Sequence, residues 1–295
     1  MENPLGSAFF FFAFVVYLYS HTNEERGDET MNSICDLIKE SRKIVIKIGS
    51  NVLSDDNGAV NKEVMHNIVE QVNGLMEKHK QVILVSSGAG ICGVGAINKW
   101  SRRDDMNYKQ ALCAIGQVEL MMAYKAHFTD YGIHVGQMLV TRDDFKDPYR
   151  NLNIRNALFT MVDEGVVPII NENDSVSVDE IKIGDNDTLS AHAANLWNAD
   201  ALIVLSDIDG VYDKDPKNQA DARLIEEVTD IDGLLDYIDI GEKSSFGTGG
   251  IETKIEAARL VNAYGIPLIL LNGKKTDIIK KVCEGQEKGT VFSGR

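Results

Sequence analysis

Two lysines of this chain stand where lysine is unfavourable, and both lie close to glycines. Lys47 is part of the apolar run "KIVIKI" (43–48), and Lys254 lies in the first turn of a predicted helix, just after "FGTGG" (246–250). A buried lysine requires a counter-charge, and a lysine near a helix N-terminus opposes the helix dipole. A bound polyphosphate would satisfy both, and glycine-rich loops at helix N-termini attract phosphate. The alternatives are that Lys47 lies at a sheet edge or a strand end, and that Lys254 is a surface lysine.

Polar residues also end several apolar runs. The run "GVVPII" (165–170) stops at Asn171, and amides and carboxylates dominate the residues after it and those at 184–187. Three other runs end in small or polar residues: Gly49, Ser50 and Asn51; Ser87, Gly88, Ala89 and Gly90; and Asp207 and Gly210. One such end is ordinary turn chemistry. Four favour a ligand site, because ligands bind beyond the carboxyl ends of parallel strands.

The spacing of apolar residues predicts the elements that position these groups. Strands are expected at 43–48, 81–86, 133–140, 166–170, 201–206 and 266–271. Helices are expected at 61–78, 107–130, 152–163, 187–198 and 251–264. Strands with continuous apolar runs, alternating with helices, indicate a mostly parallel sheet covered on both faces. The predicted fold is therefore an α/β fold, a three-layer α/β/α sandwich.

Composition excludes some functions. The chain has 295 residues and a formal net charge of −15, which argues against non-specific nucleic-acid binding. The cysteines lack metal-binding spacing, and the histidines do not cluster in the sequence, so a protein-bound metal site is not expected. Segment 8–19, "AFFFFAFVVYLY", is shorter than the roughly 20 residues of a membrane span. A signal or anchor is the alternative, but residues 1–6 include no basic residue.

We therefore expect residues 1–30 to be an extension that is disordered or not native, ahead of a domain at 31–295. A chain that begins at Met31 should then fold and be active. The segment "GAGICG" (88–93) matches the dinucleotide pattern G-x-G-x-x-G. That fingerprint also requires a second strand that ends in an acidic residue, and 94–109 predicts no strand. A nicotinamide-dependent oxidoreductase is therefore a weak alternative.

Together these segments resemble the amino-acid kinase family and, within it, the glutamate 5-kinase branch. The resemblance extends from about Lys43 to Arg295. The matching segments are "IKIGSNVL", "VSSGA", "YGIHVGQMLVTR", "VVPIINENDSV", "IKIGDNDTLSA", "SDIDGVYDKDP" and "GTGGIETKIEAA". The resemblance implies ATP-dependent phosphorylation of the γ-carboxylate of L-glutamate, the first step of proline biosynthesis. The N-terminal part of the domain would bind glutamate and the C-terminal part ATP, with Mg²⁺ bound through the ATP phosphates.

The resemblance also implies residue roles. Catalysis would involve Lys47, Lys254 and Asp187, the aspartate organising the two lysines. Substrate-binding residues would be Ser87, Gly88, Ala89, Asp174 and Asn186. Nucleotide-binding residues would be Lys47, Ser206, Asp207, Thr248, Gly249, Gly250, Ile251, Glu252, Thr253 and Lys254. In this interpretation Asp174 pairs with the substrate ammonium, and Asn186 donates to a substrate carboxylate.

Further expectations follow from the resemblance alone. It implies a cytoplasmic homo-oligomer inhibited by proline and functionally linked to glutamyl-phosphate reductase, with no nucleic-acid or membrane partner. Many members continue into a C-terminal PUA domain, whereas this sequence ends at Arg295, so regulation by such a domain is not expected. The alternatives are a kinase of the same family for another small carboxylate and a non-catalytic amino-acid sensor. A sensor should lack a lysine or Asp187, and all three residues are present.

Overall fold

The computed structural model describes residues 33–54, 60–98, 105–176, 186–216, 218–237 and 250–293. Residues Ile34–Arg295 form one compact unit. The apolar segment 8–19 lies outside the described residues, so the expectations for residues 1–30 stay predictions. No helix in the described part of the chain is both long and apolar enough to cross a bilayer.

Strands and helices alternate along most of the chain. The strands are β1 Lys43–Ile48, β2 Gln81–Ser86, β3 Val135–Val140, β4 Val167–Glu172, β5 Ala201–Ser206, β6 Val211–Tyr212, β7 Leu224–Ile225, β8 Glu227–Val228, β9 Leu268–Asn272 and β10 Thr290–Phe292. The helices are α1 Ile34–Glu40, α2 Ser50–Leu53, α3 Lys62–Met76, α4 Ala89–Ile97, α5 Met106–Thr129, α6 Arg142–Lys146, α7 Pro148–Asp163, α8 Asn186–Trp197, α9 Ile231–Tyr237, α10 Ile251–Asn262 and α11 Ile278–Cys283.

The central sheet has eight strands in the order β3-β4-β2-β1-β5-β9-β10-β8. All neighbouring strands from β3 to β9 are parallel, whereas β10 runs antiparallel to β9 and pairs in parallel with β8. The prediction of a mostly parallel sheet is therefore confirmed. Strands β6 and β7 form a separate antiparallel pair.

Strand β1 shows how the sheet is buried on both sides. Ile44, Ile46 and Ile48 pack into the cluster that includes residues of α3, α5 and α11. Val45 packs into the opposite cluster, with residues of α8 and α10. Because successive side chains of a strand point to opposite faces, Lys47 shares the face of Val45. The two clusters confirm the three-layer arrangement, and the alternation directs Lys47 towards α8 and α10.

Helix α4 was not predicted, because its sequence "AGICGVGAI" includes glycines that disfavour an isolated helix. Tertiary packing explains both the helix and the glycines. A Cβ atom on Gly116 of α5 would lie 1.8 Å from the carbonyl oxygen of Ala89 and 2.1 Å from the amide nitrogen of Gly93. Glycine therefore allows α4 and α5 to cross in backbone contact, and this crossing holds the start of α4 against α5.

Candidate active site

The polar strand ends meet at one edge of the sheet, because β4, β2, β1 and β5 are consecutive neighbours. Backbone hydrogen bonds join the segments that follow them. The N–H of Gly49 donates to the carbonyl oxygen of Leu205 at 3.0 Å, and the N–H of Ser87 donates to that of Ile48 at 3.0 Å. Residues from four separate parts of the sequence therefore surround one area beyond the carboxyl ends of the strands.

The first feature of this edge is a lysine centre, formed by Lys47, Asp187 and Lys254. Lys47 Nζ lies 2.6 Å from Asp187 Oδ1, and Lys254 Nζ lies 3.2 Å from Asp187 Oδ2. Thr253 Oγ1 lies 2.7 Å from the same Oδ2 and 2.9 Å from the carbonyl oxygen of Gly250, so its single hydroxyl proton can be donated to either acceptor. The structure thus brings together the three predicted catalytic residues and places both lysines on one carboxylate.

The lysine centre is buried: Lys47, Lys254 and Asp187 are 6%, 4% and 1% exposed. Neither lysine lies on the surface, so the surface alternative for Lys254 is wrong. Lys47 lies in an inner strand, which excludes a sheet edge, although it is the next-to-last residue of β1 and so does lie near a strand end. Burial alone would raise the pKa of Asp187, but the two ammonium groups and the hydrogen bonds from Lys47 and Thr253 hold that pKa well below its usual range. Two ammonium groups and one carboxylate leave one net positive charge, which suits a phosphate ligand.

The glycines beside the two lysines differ in how closely the backbone around them is packed. A Cβ atom on Gly49 would lie 3.8 Å from Lys47 Nζ and 3.3 Å from the carbonyl oxygen of Leu205. A Cβ atom on Gly250, at the N-terminus of α10, would meet no atom of the described residues within 4 Å. Glycine at position 49 therefore keeps a side chain away from the Lys47 ammonium group, whereas the described residues would leave room for a side chain at position 250.

The second feature is an amide cluster, formed by Ser87, Gln117, Asn171 and Asn186. The side-chain N–H groups of Asn186 donate to Ser87 Oγ at 2.8 Å and to Asn171 Oδ1 at 2.9 Å. Asn171 Nδ2 donates to Gln117 Oε1 at 2.9 Å. All four residues are buried. Asn171 was recognised only as a polar strand end, and the pattern of α5 offered no signal that marked Gln117.

The donor role predicted for Asn186 differs from this geometry, because both of its N–H groups bind protein atoms. Its Oδ1 is buried and has no hydrogen-bond partner among the described residues, and the same is true of Asp174 Oδ1. Burial raises the pKa of Asp174, opposed by a hydrogen bond from the Cys113 thiol. The predicted substrate residues thus present two buried acceptors.

Gly88 and Ala89 lie at the start of α4. Gly88 has a φ of 109°, in the left-handed region that favours glycine, and precedes the first residue of α4. The last glycine of "GAGICG", Gly93, is used in helix packing, since a Cβ atom there would lie 2.0 Å from the carbonyl oxygen of Leu112. A helix pair follows this motif instead of the strand that dinucleotide binding needs, which weighs against the oxidoreductase alternative.

The predicted nucleotide residues fall into two groups. Ser206 Oγ donates to Asp207 Oδ1 at 3.3 Å, and Asn51 Nδ2 donates to Asp207 Oδ2 at 3.0 Å, at the end of β5. Ile251, Glu252, Thr253 and Lys254 form the first turn of α10 after Gly250. Thr248 and Gly249 lie outside the described residues, so their roles stay predictions.

A further cluster of side chains brings together residues of α3 and of the end of α5. His66 of α3 and His127 of α5 have ring centroids 5.6 Å apart, and their ligand atoms and one of Asp130 lie within 4.8 Å of one another. The sequence analysis found no histidine cluster, because these residues come together only when α3 packs beside α5.

Comparison with known proteins identifies a family. The model of the amino acid kinase family matches residues 42–272. The chain is 62% identical over 257 residues to the glutamate 5-kinase of Alkaliphilus oremlandii, covering 87% of this chain and 98% of that protein. It is 40% identical to the glutamate 5-kinase of Treponema pallidum, covering 87% of this chain and 97% of that protein.

Solved structures show the same fold at low sequence identity. The UMP kinase of Bacillus anthracis superposes with a TM-score of 0.60 at 18% identity, covering 86% of this chain and 96% of that one. An isopentenyl phosphate kinase superposes with a TM-score of 0.59 at 18% identity, covering 85% of this chain and 100% of that one. At this identity the likeness supports the fold alone.

Proposed function

Because this chain belongs to the amino acid kinase family, and within it to the glutamate 5-kinases, we propose that it transfers the γ-phosphoryl group of ATP to the γ-carboxylate of L-glutamate. The product is L-glutamyl 5-phosphate, formed in the first step of proline biosynthesis. One observation carries the proposal: Asn186 and Asp187 are consecutive residues of α8, and they belong to the amide cluster and the lysine centre respectively. An amino-acid site and a phosphate site are thereby joined at one helix start.

The chemistry needs no general base. A γ-carboxylate has a pKa of about 4.3, so it is already an ionised nucleophile at neutral pH. The proposed site accordingly uses Asp187 to hold two lysines, and both of its oxygens face ammonium groups. Its lowered pKa keeps it charged, which suits an organising residue and does not suit a proton acceptor.

The two lysines are proposed to stabilise the transferring group. Phosphoryl transfer depends mainly on positioning and on stabilisation of charge on the phosphoryl oxygens. Lys47 and Lys254 reach Asp187 from β1 and α10, so their ammonium groups are held in place before the substrates bind. Groups fixed in advance require no reorganisation during the reaction.

Magnesium fits this site through the nucleotide. Mg²⁺ prefers carboxylate and phosphate oxygens. The oxygens of Asp187 face lysines, and those of Asp207 accept hydrogen bonds from Ser206 and Asn51. We therefore propose that the ATP phosphates bind Mg²⁺, which neutralises part of their charge when present.

The experiment that tests the function uses the purified chain with Mg-ATP, an amino acid and hydroxylamine. An acyl phosphate reacts with hydroxylamine, so L-glutamate should yield a hydroxamate and equimolar ADP, whereas aspartate and N-acetylglutamate should not. Faster hydroxamate formation from another carboxylate would favour the alternative kinase of the same family. Absence of ADP formation with every acid tested would favour a sensor.

Proline inhibition is proposed for the same site. Proline offers a carboxylate and a positively charged amine, which suits a site that binds glutamate through the same two groups. Inhibition should therefore be competitive with glutamate. The idea fails if saturating proline leaves the rate unchanged at sub-saturating glutamate.

A homo-oligomer is also proposed, with α5 as part of its interface. Ile115, Val118 and Met122 are 39%, 58% and 61% exposed, on one side of α5. A contiguous apolar surface of this kind is typical of association sites. Light scattering after gel filtration should give a mass above that of one chain, and Val118→Lys should reduce it.

The reactivity of L-glutamyl 5-phosphate indicates which enzyme should act next. An acyl phosphate hydrolyses readily, so we propose that glutamyl-phosphate reductase consumes it. In the absence of hydroxylamine, addition of that reductase with NADPH should increase the formation of ADP from ATP and glutamate. The expected location is the cytoplasm, where ATP and glutamate are available together.

A further inference from the structure

We propose that Gln117 is a positioning residue, which holds Asn186 through Asn171 so that the Asn186 carbonyl oxygen faces the α-ammonium group of the substrate. This inference rests on the proposed function and adds to it the basis for selecting a free amino group. It concerns the direction of a chain of amide hydrogen bonds from α5 through β4 to α8.

The direction of the chain is set by a backbone group. The N–H of Glu172 donates to Asn171 Oδ1 at 2.9 Å. A backbone N–H can only donate, so this atom of Asn171 must be the oxygen. The Asn171 amide nitrogen consequently faces Gln117, whose Oε1 accepts from it at 2.9 Å. Gln117 is therefore the acceptor that stabilises this orientation from behind.

The orientation of Asn186 follows from that of Asn171. Asn171 Oδ1 accepts a hydrogen bond from Asn186 Nδ2 at 2.9 Å. If Asn186 were rotated by half a turn about its last side-chain bond, two carbonyl oxygens would face each other at about that separation, which is repulsive. Its second N–H donates to Ser87 Oγ at 2.8 Å. Only Oδ1 is left for a ligand.

A cation that donates hydrogen bonds fits the resulting site. Asn186 Oδ1 and Asp174 Oδ1 are both buried and lack a hydrogen-bond partner among the described residues. A buried acceptor without a partner is unfavourable, and an ammonium group offers three donors. A carboxylate facing the Asn186 oxygen would be repelled, because neither group can donate a hydrogen bond. An acylated nitrogen keeps at most one N–H and loses its charge, so it fits poorly.

Gln117 is itself firmly placed. It follows Gly116, which lies in backbone contact with α4, and its side chain is 7% exposed. Its Nε2 donates to Gln137 Oε1 at 3.3 Å. Gln137 is exposed, so this outer bond contributes less to the direction of the chain than the buried bond to Asn171.

Two variants of Gln117 separate an acceptor role from a packing role. Gln117→Met keeps a similar shape but removes the acceptor, whereas Gln117→Glu keeps an acceptor for Asn171. Gln137→Met serves as the matched control on the exposed side. We expect Gln117→Met to raise the KM for glutamate about tenfold, with kcat and the KM for ATP within about twofold, because one hydrogen bond to a charged group is affected. Gln117→Glu should raise the KM for glutamate less than Gln117→Met does, and Gln137→Met should stay within about threefold of the wild type.

Glutarate tests which substrate group is involved, because it has both carboxylates of glutamate and no amino group. Its inhibition constant against glutamate should be the same within about twofold in the wild type and in Gln117→Met. A weakening equal to that for glutamate would show that the amide chain serves a carboxylate and would overturn the proposal. An unchanged KM for glutamate, or equal loss in Gln117→Glu, would overturn it as well.

Failure of this inference and failure of the proposed function give different results. The function fails if the wild-type chain forms no glutamyl hydroxamate. In that case, calorimetric binding of glutamate and glutarate to the wild type and Gln117→Met still tests the inference. The proposal then requires a loss of affinity confined to glutamate, and an equal loss for both acids or no loss would contradict it.

Discussion

The lysine centre and the amide cluster lie on the same edge of the sheet. They differ in whether their buried polar atoms have partners within the protein. In the lysine centre, Lys47, Lys254 and Thr253 all contact Asp187, so the buried carboxylate is surrounded by donors without any ligand. In the amide cluster, hydrogen bonds among amides fix the side chains, while Asn186 Oδ1 has no partner among the described residues; the same holds for Asp174 Oδ1. The polar groups of the lysine centre are satisfied by protein atoms, whereas we propose that bound substrate satisfies the remaining acceptor of the amide cluster.

The two parts of the site differ because an unpaired buried charge costs more free energy than an unpartnered neutral acceptor. Removing one partner of a buried ion pair costs about 3–5 kcal/mol. Buried lysines without a counter-ion would therefore destabilise the fold whenever ATP is not bound. An unpartnered neutral acceptor costs about 1–3 kcal/mol, which a folded domain tolerates and a bound ammonium group removes. We infer that the two ammonium groups are positioned before ATP binds, whereas selectivity comes from an acceptor that gains a partner only when the substrate binds.

The largest predicted effect comes from the lysine centre. Lys254→Met should lower kcat by about 10²–10³, equivalent to about 3–4 kcal/mol, because a fixed donor to the transferring phosphoryl group is removed. The KM values for ATP and glutamate should change much less, since the contact is made mainly in the transition state. Steady-state kinetics with both substrates varied measures this.

Two further variants delimit that result. Asp187→Asn should also lower kcat, because both lysines lose the carboxylate that organises them. If Lys254→Met raised only the KM for ATP and left kcat intact, Lys254 would be an ordinary nucleotide-binding residue. The lysine centre would then no longer differ from the amide cluster in its effect on kcat.

The next effect concerns the support of the amide cluster. Gly116→Ala should lower the free energy of unfolding by about 3 kcal/mol, because its Cβ atom would overlap backbone atoms of Ala89 and Gly93 that cannot rotate away. Gly74→Ala in α3 is the matched control, since its Cβ atom would meet nothing within 4 Å. That control should be stabilising by up to about 1 kcal/mol. Urea denaturation compares the two, and equal stability would show that the α4–α5 crossing is adaptable.

Asp174→Ala should act mainly on glutamate binding. Loss of a buried carboxylate that pairs with the substrate ammonium should raise the KM for glutamate about 30-fold, or about 2 kcal/mol. Its kcat should fall by less than about threefold, in contrast to Lys254→Met. A kcat loss as large as the KM change would place Asp174 with the lysine centre and remove the distinction between the halves.

The smallest effect is a difference in pH response. Burial raises the pKa of Asp174, whereas the lysines lower that of Asp187. An ammonium ligand needs Asp174 ionised, so the KM for glutamate should rise severalfold as the pH falls, starting above the usual aspartate pKa of about 3.9. The kcat should hold to lower pH, because Asp187 stays charged. In Asp174→Asn, the rise in KM should disappear, and its persistence would assign it to another group.

Much of the fold could be read from the chain. Apolar runs and helical spacing predicted β1, β2 and β5 at their observed bounds and the other main strands within a few residues, because burial on both faces leaves a strong local pattern. Helix α4 was missed because its glycines look unfavourable locally, and only contact with α5 explains them. The short elements β6, β7, β8 and β10 were missed for a related reason: they form by pairing and have little pattern of their own.

For the candidate site too, some features could be predicted from the sequence and others required the structure. The sequence by itself determined the family, the two misplaced lysines and the polar strand ends, because each is a matter of residue type at a given position. Only the tertiary structure decided that Lys47 and Lys254 share one carboxylate, that Gln117 belongs behind the site, and that Asn186 presents an oxygen. These facts depend on contacts between residues far apart in the chain, and the last depends on the direction of a single backbone N–H, that of Glu172.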